Sequence, residues 1–459
     1  VSLVDFSSHL EKADSLLNLA QRLGSVCLEE AGELGRMLHD ERTKAELGRL
    51  EAWVAQIPRE TWEEVIDDPS RFEERAGAKL IAALKRAKTR QPLDFLGVLR
   101  GLCRKPLPEY YLTVEEQIDL DEGLPIPFAT RPVYEKFGGD CTPSQVTLNR
   151  GSLLEPLPYS LFKFSARDQV RVVLDYGHRD RIDELGWSEE RGLPRIATIH
   201  PDGGGSLRVE IDSDGAHFFD VSPESWDADA VLALLARARE EGADIAVLPE
   251  LSLPDPGSLQ KGLEASPESY PPLVVAGSAH CSTGTAAGDE IRSNESRVYL
   301  DGKCVAIAHK HHPFVTKDLL GTPYPEGISE DLTGEQKTIM VLSGSRTRIA
   351  VVICADLNDL QIPQLLVAAG VNLLLVPAMT EKIGSFNAPL SAIAGYCQGV
   401  CAIANTRWGE DGKPFLCMVS VPREDPSQQS VALPAKDSVA SQLAIFDPNE
   451  RLPGAVGWR

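Results

Sequence analysis

The sequence predicts an α/β fold behind a mainly α-helical N-terminal domain, and three observations carry that expectation. From about residue 193 onward, short β-branched runs alternate with stretches at helical spacing, which is the pattern of a sheet with helices on its faces. Residues 1–90 show no such runs; their apolar residues recur three and four apart. Between the two, residues 91–192 are interrupted by Pro106, Pro108, Pro125 and Pro127 and read as mixed and irregular. The expected division is a helical region at 1–90, an unassigned region at 91–192 and an α/β domain at 193–453.

In the helical region, Ser8-x-x-Glu11 reads as a capping box, with Leu10, Ala13, Leu16, Leu17, Ala20 and Leu23 following at helical spacing. Lys44–Ala55 is a second run. Thr61-x-x-Glu64 opens a third, and Asp68-Pro69 opens a fourth that reaches about Thr89. In the α/β domain, Arg195–Ile199 is a first strand and residues 202–219 form a hairpin. Ser222-Pro223 begins a helix that Gly242 closes. Strands follow at Ile245–Leu248 and Leu273–Gly277. Ser296–Leu300 and Cys304–Ala308 pair across Asp301-Gly302. Leu319–Glu335 reads as a long acidic loop of the kind that closes over sites. Further strands lie at Ile349–Ile353, Asn372–Val376, Val400–Ala404, Phe415–Val421 and Gln442–Phe446, with a helix over Ala388–Gln398.

Composition narrows the partners. At 459 residues and 42% hydrophobic, the chain can bury substantial cores. A net charge of −22 argues against nucleic acid or an anionic membrane as a whole-surface partner. The apolar run Leu365–Met379 contains Gly370, Asn372 and Pro377 and is too short to span a bilayer, and no signal peptide is evident. Nine scattered cysteines suggest no disulfide framework, which fits a cytoplasmic location. Neither Cys397 with Cys401, nor His309, His311 and His312, nor the acidic run from Glu115 to Glu122 makes a convincing metal site, so no metal or cofactor is expected. A first residue of Val fits a processed chain or part of a longer one.

The chemistry lies at three strand ends. Ile245–Leu248 runs into Pro249-Glu250, Cys304–Ala308 runs into Lys310, and Ile349–Ile353 runs into Cys354. In α/β sheets, sites gather outside the carboxyl ends of strands. A glutamate, a lysine and a cysteine make a base, a cation and a nucleophile, and a strand-to-helix turn at the thiol adds backbone N–H groups suited to an oxyanion.

This order and setting resemble the nitrilase superfamily of carbon–nitrogen hydrolases over residues 193–453; residues 1–190 have no such resemblance. The resemblance implies a four-layer αββα sandwich, often paired into dimers or higher oligomers. It implies Glu250, Lys310 and Cys354 as the catalytic triad. Many members carry a second glutamate between the lysine and the cysteine. Glu326, Glu330 and Glu335 are the candidates, and Glu330 fits best because Glu330-x-Leu332-x-Gly334 resembles the family pattern. Ala355 stands where many members have an aromatic residue; its N–H would hold the oxyanion, and Phe386 and Trp408 are candidates to line the pocket. The implied activity is hydrolysis of a small amide or carbamoyl substrate through a cysteine thioester. The competing reading is a nitrilase-like domain acting as a sensor or assembly module of a larger, possibly defence-related, protein.

Overall fold

The period-two apolar pattern of the α/β region resolves into two large sheets packed face to face. A computed structural model gives this architecture. It describes residues 3–127, 159–161, 170–186, 192–201, 207–405, 415–421, 430–434, 442–448 and 456–458, with breaks at 38–40, 87–90, 122, 214, 285–289, 320–321, 334–337, 346, 360, 381–382 and 398. The chain divides into two compact units, one mainly of residues 1–128 and one mainly of residues 169–459.

The first unit is helical, but its boundaries differ from the sequence reading. The first helix is Leu3–Glu11, so Ser8 lies inside it and caps nothing. The next cap is Ser15, whose Oγ accepts the Asn18 N–H at 3.1 Å and opens Leu16–Glu29. Arg59–Asp67 starts directly after Pro58, two residues before Thr61. Gly77, at φ 80°, separates Phe72–Arg75 from Ala78–Arg86 and splits the expected fourth helix. Helices also continue past residue 90, as Gln91–Arg104 and Pro106–Thr113. Pro106 opens the latter instead of breaking it, because a proline in the first turn forfeits an N–H that has no helical acceptor. Gln91–Arg104 lies close against Glu41–Ala55: a Cβ on Gly101 would fall 2.4 Å from Val54 Cβ. Across this contact, Arg100 at 2.8 Å and Arg104 hold the buried carboxylate of Glu51.

In the second unit, one sheet runs in the order Arg171–Asp175, Thr338–Ser343, Arg348–Val351, Leu373–Ala378, Val400–Asn405, Phe415–Ser420, Ser430–Pro434. The other runs Ala279–Gly284, Glu290–Leu300, Leu273–Val275, Ile245–Val247, Ile196–His200, Gln442–Phe446, Val456–Trp458, and Lys303–His309 also pairs with Glu290–Leu300. Alternate residues sort to opposite faces. Ile245, Val247, Leu273 and Val275 meet Ile349, Val351, Leu373 and Leu375 between the sheets. Ala246, Val274, Ala197 and Ile199 face outward onto Val231, Leu235 and Ala238 of helix Ala228–Glu240. Helix Asn387–Tyr396 lies against Val400–Asn405 of the other sheet. The layers are helix, sheet, sheet, helix, which is the αββα sandwich.

Two readings of this unit need correction. Ser222 and Pro223 end the strand His217–Pro223 and do not start a helix; the helix begins at Ala228, where the Asp227 side chain accepts the N–H groups of Asp229 and Ala230. Residues 319–335 are not an irregular loop. Thr322–Glu330 is a strand that pairs with Val315–Leu319 and, at Ser329 and Glu330, with His217–Pro223. Its prolines, Pro323 and Pro325, sit where only one side is paired, so no ladder hydrogen bond is lost there. The hairpin at Asp301-Gly302 is as expected, with φ of 47° and 78°. Among the described residues, no helix is long and apolar enough to cross a membrane.

His200 is buried at the end of its strand. Its Nδ1–H donates to Asn405 O at 3.0 Å, and its Nε2 accepts from Thr198 Oγ1 at 3.1 Å. Burial lowers its pKa from 6.5 to about 4, against the smaller opposing effect of the Asn405 hydrogen bond. Between those values the unfolded chain binds the proton and the folded chain does not. The stability His200 confers is therefore full above pH ~6.5 and is lost as pH falls to ~4, by about 3 kcal/mol in all. Urea unfolding of the wild type and His200→Gln across this range should show the gap between them change by about that amount; parallel pH dependences would show that His200 is not buried in its neutral form.

Candidate active site

Four polar residues singled out from the sequence converge from four strand ends. Glu250 follows Ile245–Val247 in one sheet and Cys354 follows Arg348–Val351 in the other. Lys310 follows Lys303–His309, and Glu330 closes Thr322–Glu330. All four side chains are buried. Lys310 Nζ lies 2.7 Å from Glu250 Oε1 and 2.5 Å from Glu330 Oε2. The Cys354 thiol donates to Met379 O at 3.7 Å and lies beside the Glu250 carboxyl. Of the other glutamates weighed, Glu326 is on the same strand as Glu330 but exposed, and Glu335 lies outside the described residues.

Local backbone geometry aims these groups. Cys354 has φ 44°, a left-handed conformation that costs a non-glycine residue roughly 1–2 kcal/mol. It opens the tight turn Cys354–Asn358, which lifts the thiol out of the strand direction. Asp356, two residues on, is fully buried and grips the segment after Lys310: its carboxylate accepts His312 N–H at 2.8 Å and His311 N–H at 3.0 and 3.1 Å. That clamp ties the thiol's turn to the lysine's strand end. Leu251, after the glutamate, is also left-handed, at φ 52°. Ser278 accepts its N–H and donates its own N–H to Pro249 O. Gly277 beside it has φ 74°, and a Cβ there would meet Pro249 O at 2.4 Å, so only glycine fits.

The two carboxylates share one cation but differ in their other partners. Glu330 Oε1 accepts from Asn294 Nδ2 and His280 Nε2, both at 2.9 Å; Oε2 accepts from Lys310 Nζ and from Phe314 N–H at 2.9 Å. Glu250 Oε1 accepts from Lys310 and, at 3.1 Å, from Asn294 Nδ2, and the carboxyl lies beside the thiol. Burial would raise the Glu330 pKa, but the Lys310 charge and the His280 hydrogen bond hold it well below the usual carboxylate range. Burial raises that of Glu250, with the Glu330 charge adding and Lys310 opposing. Burial also works against the Lys310 charge, and the two carboxylates more than reverse it, so the ammonium is held above the usual lysine range. Burial, with the Glu250 charge beside it, pushes the Cys354 thiol far up. The resting arrangement is a protonated thiol against a carboxyl of raised proton affinity.

Residues 222–419 match the family model of carbon–nitrogen hydrolases. The chain carries a nitrilase-superfamily domain. Among solved structures, it is similar to NitN amidase from Neterenkonia sp. AN1, with 20% identity, 55% of this chain and 92% of that chain covered, and a TM-score of 0.36. A variant of the amidase from Nesterenkonia sp. AN1, bearing the Michael adduct of acrylamide at its active-site cysteine, is 18% identical with 55% and 92% covered and a TM-score of 0.35. A glutamine-dependent NAD(+) synthetase from Cytophaga hutchinsonii is 12% identical with 55% and 43% covered and a TM-score of 0.35. A comparison with curated proteins gave no match.

Around the centre of this nitrilase-superfamily domain, the remaining expectations fall differently. Ala355 is half-buried directly after the thiol. Phe386 is buried in the turn Ile383–Phe386, which lies against the Cys354 turn and is tied to it by Asn358 Nδ2 to Ser385 Oγ at 3.2 Å. Trp408 lies outside the described residues. His312 faces Asp356 and Asp359 at 3.3 and 3.4 Å, and among the described residues no group of three side chains is arranged to hold a metal. Asn294, His280 and Asp356 went unnoticed as site residues. Asn294 had a readable signal: it shares a strand face with Ser296, Val298 and Leu300, and a polar residue at the end of an apolar face points toward a site. His280 had none.

Asp356→Ala removes a charged acceptor from two backbone N–H groups. It should destabilise the protein by roughly 2–4 kcal/mol, read from the urea midpoint, with Asp356→Asn costing less because one oxygen remains. Equal midpoints for all three proteins would mean the clamp is not made.

Proposed function

We propose that this domain hydrolyses a non-peptide C–N bond in a small amide or carbamoyl compound, through a thioester on Cys354. The observation that carries this reading is the buried contact of one thiol, one carboxyl and one shared ammonium, made from three separate strand ends. The Glu250 carboxylate takes the thiol proton as sulfur attacks the carbonyl carbon. The carbonyl π electrons move to oxygen, where Lys310 and the Ala355 N–H meet the new negative charge; both donors are in place before it forms. Protonated Glu250 then gives its proton to the leaving nitrogen, the C–N bond breaks and ammonia or an amine departs. Water adds to the thioester with Glu250 as base. Collapse returns the proton to sulfur and releases the acid.

The raised proton affinities of both thiol and carboxyl support a concerted transfer over a standing thiolate. A buried thiolate next to a carboxylate would carry two unshared charges in a site with one cation.

Cys304 is exposed and serves as an internal reference. On treatment with iodoacetamide, followed residue by residue by mass spectrometry, Cys354 should react faster than Cys304 although it is buried. Glu250→Gln should abolish that advantage. In an ammonia-release screen over small carboxamides and carbamoyl compounds, Cys354→Ala should be inactive, and Lys310→Met should lower kcat by about 10²–10³, the usual effect of losing one oxyanion donor. Labelling that merely follows exposure would favour the module reading instead.

A further inference from the structure

The base and the nucleophile belong to different sheets, and one short segment bonds to both. Strand Leu373–Ala378 lies next to Arg348–Val351, the strand that leads to Cys354. At its end, Ala378 O accepts the Glu250 N–H at 3.3 Å, a bond that crosses from one sheet to the other. The next carbonyl, Met379 O, accepts the Cys354 thiol at 3.7 Å. Both backbone groups of the residue after that, Thr380, bond to the side chain of Asn405.

Asn405 is the last residue of Val400–Asn405 and stands opposite Ala378 in a parallel ladder. Its side-chain amide carries the pairing two residues further. Oδ1 accepts the Thr380 N–H and Nδ2 donates to Thr380 O, each at 2.8 Å. A carboxamide has the same donor and acceptor as a peptide unit, so it can stand in for one more strand residue. Two bonds from one planar group fix the direction of the Thr380 backbone as well as its place. The Asn405 residue is itself fully buried, and its own carbonyl accepts from His200 Nδ1 at 3.0 Å.

We infer that Asn405 is a positioning residue: by holding both backbone groups of Thr380 it keeps the Ala378 and Met379 carbonyls in place, and so sets Glu250 and Cys354 at a working separation across the two sheets. The inference rests on the thiol–glutamate chemistry proposed above and goes beyond it by assigning what aligns the pair. Asn405 acts through residues 378–380, which carry its hold to the base on one side and to the sulfur on the other. Without the amide the segment is free to shift, and a misplacement of about 1 Å in a reacting pair can cost about a hundredfold in rate.

The sign of one measurement separates this role from a merely structural one. The readout is the rate of iodoacetamide labelling at each cysteine of the full chain, by mass spectrometry. Cys401 is buried on the same strand as Asn405 and reports on opening of that strand; Cys304 is the exposed reference. If Asn405 only stabilised the fold, Asn405→Ala would loosen the strand, and Cys354 and Cys401 would both label faster. We expect Cys354 to label about tenfold or more slowly, with Cys401 and Cys304 within about twofold of the wild type. Asn405→Leu fills the volume without either polar group and should match Asn405→Ala, because the loss comes from the hydrogen bonds and not from a cavity. In a Glu250→Gln background there is no base left to align, so Asn405→Ala should change the Cys354 rate by less than about twofold, as coupled residues do in a double-mutant cycle. Hydrogen exchange of the wild type needs no substitution to fold: the Thr380 N–H should exchange at least about a hundredfold more slowly than an exposed amide. Faster labelling of Cys354, an unchanged rate, the same loss in the Glu250→Gln background, or free exchange at Thr380 would each overturn the inference while leaving the hydrolase reading intact. A wild-type Cys354 no faster than Cys304 would overturn the hydrolase reading, and this inference with it.

Discussion

The site depends on one buried ammonium shared by two carboxylates. Moving Lys310, Glu250 and Glu330 out of water costs several kcal/mol per ion, and the pairing repays it only with close geometry and full hydrogen bonding. Both conditions hold here. Lys310 Nζ lies within 2.7 Å of each carboxylate, and Asn294 bridges the same two groups through its two amide hydrogens. With both glutamates ionised the cluster has one negative charge in excess. Glu330 has four hydrogen-bond partners of its own, and Glu250 is the carboxyl that lies beside the thiol. The arrangement also requires the fold to be complete, since Glu250 and Lys310 follow two separate strands of one sheet, Glu330 ends a strand of another, and no single supersecondary unit contains all three.

Strain and support are paired around this cluster. Cys354 and Leu251 are both left-handed non-glycine residues; one belongs to the cluster and the other directly follows Glu250. Such conformations persist only where the surroundings over-determine them. At Cys354, Asp356 N–H bonds to Ile353 O at 3.1 Å while the Asp356 carboxylate is anchored on the lysine's segment. At Leu251, Ser278 and Gly277 fill the same role. Behind the thiol, Asn405 holds Thr380 by both of its backbone groups at 2.8 Å, next to the Met379 carbonyl that faces sulfur. The place of the Cys354 thiol is therefore fixed by hydrogen bonds of its own turn and of the Met379–Thr380 segment.

What the sequence disclosed follows from how each residue is carried. Glu250, Lys310 and Cys354 were legible because each ends an apolar run, and strand ends are where an α/β sheet exposes chemistry. The αββα layering was legible through resemblance; the alternating runs alone implied only a sheet with helices. Glu330 emerged only from resemblance, because Pro323, Pro325 and Gly327 disguised its strand as a loop. His280 was invisible: it gains its role from Val221, Phe219 and Glu330, which no spacing rule connects. Helix ends were misplaced for a local reason. Ser8 looks like a cap, and only the break between Glu11 and Leu16 makes Ser15 the cap instead.

The reassignment of residues 319–330 from loop to hairpin bears on how the site meets its substrate. A closing loop would order on binding and spend part of the binding energy on that ordering. Here the segment is a strand whose last residue, Glu330, is tied into the charge cluster and whose backbone pairs with Phe314 as well as with Phe218. Moving it would break up to four hydrogen bonds to a buried carboxylate, far costlier than displacing a surface loop. Its Ile328 also packs in an apolar cluster with Phe218, Val221, Leu251 and Met379, of which Leu251 follows Glu250 and Met379 precedes Thr380. The hairpin is thus a wall of the cluster and shares its core with Leu251, which follows Glu250, and with Met379, whose carbonyl accepts from the Cys354 thiol. A substitution in that apolar cluster therefore acts on the segments that place Glu250 and Cys354 even though it touches neither charge.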